Sequence, residues 1–136
     1  MKSKIVLTTS AVFLGVLGVA LDFMPQETAA VLGLGMEPMA VLILQVLAAA
    51  LLGMGFMNWL SRGNPMGGIY SRPLALQNFL FFGVGAIPLD RAVFHSDPKL
   101  AVQLAACVFS VFAVAFGWLM FFHDPIPKAQ EEEPHP

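Results

Sequence analysis

Few side chains in this 136-residue chain are of types that do chemistry, and their spacing limits what they can do. The histidines are His95, His123 and His135, and the sole cysteine is Cys107. A pair of axial haem ligands needs histidines facing each other at matched depth, and zinc needs a close Cys/His cluster; these residues offer neither. Met54 and Met57 lie three apart and have the softness copper prefers. With eight methionines in so apolar a chain, they read first as packing. No H-E-x-x-H, G-x-S-x-G, phosphate-binding loop or dinucleotide fingerprint occurs. The reading is therefore no catalytic residue, no metal and no cofactor, and it points away from an enzyme.

What remains is a set of polar side chains in apolar surroundings. The first group is Asn58, Trp59, Tyr70, Arg72, Gln77 and Asn78. An amide in lipid needs a partner. Asn58 and Asn78 thus read either as glue between helices or as the lining of a polar pocket for a head group, a quinone or a small ligand. Trp59 and Tyr70 also suit an interfacial aromatic belt, and the arginines suit a role in topology. The second group is Gln45, Asp90, Arg91 and Gln103. It reads as a polar clasp between helices near the opposite face, with a proton or ion path through Asp90 as the alternative.

Long apolar runs must carry these groups. They cover about residues 5–24, 39–60, 74–94 and 100–122. Each is 20 to 23 residues long, or ~30–34 Å as helix, which matches a ~30 Å hydrocarbon core. The chain is 57% hydrophobic and 12% charged, against roughly 25% charged in soluble domains. The expected fold is an all-α membrane protein, a bundle of four transmembrane helices filling residues 1–123. The net charge of −2 offers no basic patch for nucleic acid. Cys107 has no internal disulfide partner and reads as a small buried hydrophobe. Pro88, followed by Asp90 and Arg91, makes the third run the weakest and predicts a kink there.

The first run has a rival reading as a cleavable signal peptide. Lys2 and Lys4 resemble its charged start, and Gly18-Val19-Ala20 offers a small-residue cleavage site. The 17 apolar residues from Ile5 to Leu21 exceed the ~7–15 of such segments, which favours a retained helix. With four spans, Lys2, Lys4, Arg62, Arg72 and Lys128 lie on one side and Arg91 and Lys99 on the other. The positive-inside rule then puts both termini in the cytoplasm of a bacterial inner membrane.

Residues 22–38 form an acidic outer loop. Pro25 suits a first helical turn, Glu27 its positive end, and Gly33 or Gly35 its stop, so a short interfacial helix is expected. The tail at 124–136, rich in Pro and Glu, reads as disordered and cytoplasmic. Small residues predict where helices touch: Gln45, Ala49 and Gly53; Ala101 and Ala105; Ala113 and Gly117; Gly83, Gly85 and Ala86.

The loop between the second and third runs carries one more signal. Asn58-Trp59, Gly67-Gly68-Ile69-Tyr70, Arg72-Pro73 and Asn78, with Gln45 and Gly53 upstream, resemble a group of uncharacterised small four-helix bacterial membrane proteins. The resemblance covers roughly residues 40–90. More distantly the plan is similar to DoxX-like membrane proteins, some of which are linked to quinones or redox complexes. The nearer resemblance implies four spans and draws attention to the inner loop; it implies no substrate. The expected function is an accessory, assembly or structural subunit in the lipid bilayer, associated with another membrane protein or with itself. A small transporter or ligand-binding protein, and a quinone-linked redox component, are the alternatives.

Overall fold

The computed structural model describes residues 2–35, 37–63 and 71–122, with the side chain of Ser71 left aside. Among these residues the fold is all helical. Its elements are α1 (Lys2–Phe23), α2 (Pro25–Leu32), α3 (Pro38–Ser61), α4 (Ser71–His95) and α5 (Leu100–Phe122). Residues 64–70, which carry most of the inner-loop motif, and the tail expected to be disordered at 124–136 lie outside the described residues.

Three helices, α1, α3 and α5, are long and apolar enough to cross a membrane. Helix α4 is as long, but Arg72, Asp90, Arg91 and Pro88 dilute its apolar character. The expectation of four spans is thus met by length and composition for three. Pro88 does not end α4, which runs on to His95. Proline has no N–H to offer the carbonyl one turn back, so a hydrogen bond is missing inside this helix.

Hydroxyl side chains near the start of α1 need partners in apolar surroundings, and they find them in their own helix. Thr8 donates to the Lys4 carbonyl at 2.7 Å and Thr9 to the Ile5 carbonyl at 2.8 Å. The short helix expected in the first loop is α2. Pro25 occupies its first turn, where no N–H is required, and Glu27 faces its positive end. It stops at Gly33, whose φ of 79° is left-handed. The Leu34 N–H then reaches back to the Ala29 carbonyl at 2.8 Å.

The long helices pair as two antiparallel hairpins, α1 with α3 and α4 with α5. On α3 the buried residues are Leu44, Ala48, Leu51, Gly55 and Asn58. Their alternating four- and three-residue steps make one straight seam against α1. Gly55 lets the backbones meet, since a Cβ there would lie 3.2 Å from the Ala11 carbonyl oxygen and the Gly15 nitrogen. On α1, a Cβ at Gly18 would lie 2.8 Å from the Leu52 side chain.

This seam corrects two expectations. The stripe of Gln45, Ala49 and Gly53 is exposed, and nothing approaches a Cβ at Gly53 within 4 Å. It lies one position around the helix from the face that packs. Cys107 is also exposed, on the outside of α5.

In the second hairpin, small residues seat rings rather than backbone. Gly85 receives the Phe109 ring and Gly117 the Phe79 ring. Phe82 is fully buried and stacks on Phe112 and Phe116, with centroids 4.8 and 5.9 Å apart. Phe13 of α1 meets Phe112 at 5.7 Å, so one aromatic cluster fills the space between the hairpins. Outside that core, large apolar side chains such as Val114 and Val16 are 73% and 67% exposed. Such a surface suits lipid as its solvent.

Candidate functional site

Three polar side chains are buried among the described residues: Ser10 on α1, Asn58 on α3 and Asn78 on α4. They meet at one point. The Asn58 amide donates to the Asn78 carbonyl oxygen at 2.7 Å, and the Asn78 amide donates back to the Asn58 oxygen at 2.8 Å. The second Asn58 hydrogen goes to Ser10 Oγ at 3.0 Å. The second Asn78 hydrogen goes to the Leu74 carbonyl of its own helix at 2.9 Å, and Ser10 donates to the Leu7 carbonyl at 3.1 Å. An asparagine amide has two hydrogens and a serine hydroxyl one. Every donor in the cluster is therefore used, and each amide oxygen accepts one hydrogen bond from the described residues.

This cluster joins both hairpins at the end where α3 finishes and α4 begins. Each residue reaches it through helix geometry. Asn58 continues the α3 seam three residues beyond Gly55, and Ser10 lies three beyond Leu7 on the buried face of α1. Asn78 is one turn from Leu74 and Phe82 on the buried face of α4.

The other members of the first group do not enter the cluster. Trp59 is exposed and carries the Arg62 guanidinium, whose carbon stands 3.5 Å from the ring centroid. Gln77 and Arg72 are exposed, and Tyr70 lies outside the described residues. The second group does not assemble. Gln45 and Arg91 are exposed, and Gln103 donates to the Pro98 carbonyl at 3.3 Å. Asp90 instead pairs with Ser110 of α5, whose hydroxyl stands 3.0 and 3.3 Å from its two oxygens. Ser110 lies ten residues into α5, so the carboxylate is tied ~15 Å from that helix's start.

Three partners were missed in the sequence reading. Ser10 follows Thr8 and Thr9 in sequence, and its three-residue spacing from Leu7 and the position of Asn58 near the same end set it apart. Ser110 is the sole hydroxyl of α5, which marks it as a partner for a nearby carboxylate. Lys99 donates to the Ala30 carbonyl at 2.6 Å, binding the loop before α5 to the end of α2. A cation is favoured there by the negative end of the helix dipole, but nothing local in the sequence pairs these two loops.

No family model, curated protein or solved structure matches the chain.

Proposed function

We propose that the chain is a four-span protein of a bacterial inner membrane that acts as an accessory or assembly subunit, packing against another membrane protein rather than performing chemistry. One observation carries this reading: the donors of the buried Ser10, Asn58 and Asn78 cluster are all used, on one another or on the carbonyls of their own helices. A pocket built to bind a polar ligand would hold donors in reserve, whereas a closed cluster holds helices in register. The antiparallel pairing of α4 with α5 supports α4 as the fourth span, because a helix lying along a membrane span shares its surroundings. Cytoplasmic termini follow from the lysines and arginines at 2, 4, 62 and 72. The resemblance to small four-helix bacterial membrane proteins, and more distantly to DoxX-like ones, fits this plan.

Purification in mild detergent followed by mass spectrometry tests it. A second membrane protein at fixed stoichiometry is the expected result; a chain that purifies alone as a monomer overturns it. Orientation is read by labelling single cysteines at Glu27→Cys and Lys128→Cys. The first should react with an impermeant reagent on intact cells and the second should not.

A second reading, a small carrier, draws on the Asp90 to Ser110 contact. A carboxylate held among spanning helices is a common element of ion and proton paths. Vesicles containing the protein should then pass an ion or proton current that Asp90→Asn abolishes. Equal currents in both would remove this reading.

A further inference from the structure

A shallow cleft of about 220 Å³ runs on the outer side of α1 and α3. Ala11, Gly15, Leu52, Gly55, Phe56 and Trp59 are among the residues that line it. Its lining is carbon almost throughout, so it has nothing to offer a polar ligand. Arg62 lies just beyond, its guanidinium carbon 3.5 Å from the Trp59 ring centroid. The Nη1 of Arg62 is buried, with no hydrogen-bond partner among the described residues.

Among the described residues, the charge around it has one sign. Lys2, Lys4, Arg62 and Arg72 share this end of the molecule, while the described carboxylates (Asp22, Glu27, Glu37, Asp90 and Asp97) belong to the opposite loops or to the Ser110 contact. Lys2 lies over the Trp118 ring, 5.0 Å from its centroid. Arg62 is thus a cation beside an apolar cleft, with no acidic side chain to neutralise it among the described residues.

We infer that this cleft holds an anionic phospholipid, with an acyl chain against Gly15 and Gly55 and the phosphate on Arg62. Guanidinium binds phosphate through paired, charge-assisted hydrogen bonds. A bilayer brings phosphate to the level of helix ends as a matter of geometry, whereas a partner helix would need a carboxylate at that same level. The inference rests on the membrane reading above. Sedimentation with membranes after an alkaline wash tests that reading separately, so a failed lipid assay on an embedded chain counts against the cleft alone.

Native mass spectrometry of the detergent-purified chain, titrated with phosphatidylglycerol or with phosphatidylcholine of the same acyl chains, reads the occupancy directly. Phosphatidylglycerol should bind several-fold more tightly. Arg62→Gln should weaken it about tenfold, the factor that ~1.4 kcal/mol of a lost charged contact gives. Gly15→Leu should do the same by filling the cleft, into which a Cβ at Gly15 points with nothing within 4 Å of it. Equal binding of both lipids overturns the inference. So does retention by Gly15→Leu with loss in Arg62→Gln, which would mean charge attraction without a seated chain. A dimer abolished by Gly15→Leu would assign the cleft to a second copy and overturn it as well.

Discussion

Asn58 and Asn78 face each other across the two hairpins and exchange a pair of amide hydrogen bonds, 2.7 and 2.8 Å long. Each side chain is at most 1% exposed. The contact is reciprocal, so loss of either partner strands the other in an apolar interior.

That reciprocity gives a test by double-mutant cycle. Asn78→Leu should cost ~1–3 kcal/mol, the penalty of leaving a buried amide unsatisfied. Asn58→Leu should cost a similar amount or more, since it also deprives Ser10 of its donor. The double variant should cost clearly less than the sum of the two, because neither amide is left facing an apolar side chain. Unfolding in mixed micelles measures all three, and strict additivity would show that the two amides do not act as a pair.

Gly55 and Gly53 are two positions apart on α3 and should behave in opposite ways. A Cβ at Gly55 meets backbone atoms of α1 at 3.2 Å, and backbone cannot step aside unless the helices separate. Gly55→Ala should therefore cost ~1–3 kcal/mol through overpacking. A Cβ at Gly53 meets open space, so Gly53→Ala should cost nothing. Thermal midpoints of the two purified variants compare them directly, and equal midpoints would contradict the observed rotation of α3.

The Lys99 contact holds the opposite end of the molecule. Lys99→Met should free the C-terminal turn of α2 while leaving the Asn58 cluster intact. Hydrogen exchange should quicken at the Gly33 and Leu34 amides, with global stability down by no more than ~1 kcal/mol for an exposed charged contact. Unchanged exchange at those amides would mean that the lysine contributes nothing to holding the turn.

Asp90 and Ser110 should respond unequally to substitution. Ser110→Ala removes the donor and leaves a half-buried carboxylate without it, at a cost of ~1–3 kcal/mol. Asp90→Asn keeps an oxygen to accept from Ser110 and should be milder. Chemical unfolding of the two variants ranks them, and the reverse order would indicate that Ser110 is not the partner that matters.

Local residue types were enough to decide how many helices form and where they stop. Apolar runs of membrane-spanning length are helical because lipid leaves the backbone no other donor or acceptor. Pro25 and Gly33 bound α2 through backbone geometry alone. That Asn58 and Asn78 gather near one end was also legible, since both are amides in apolar runs; that they bond each other was not. Which face of each helix packs was not legible. A helix that is apolar all round carries no amphipathic stripe, so its rotation leaves no trace in the pattern of residues. Gln45, Ala49 and Gly53 looked as good a contact face as Leu44, Ala48, Leu51 and Gly55. Only the fit of Gly55 against the backbone of Ala11 and Gly15 decided between them. For the same reason the clasp expected of Gln45, Asp90, Arg91 and Gln103 did not assemble. Rotation and close approach belong to the packed molecule, and they turned Asp90 toward Ser110 and left Arg62 beside an apolar cleft.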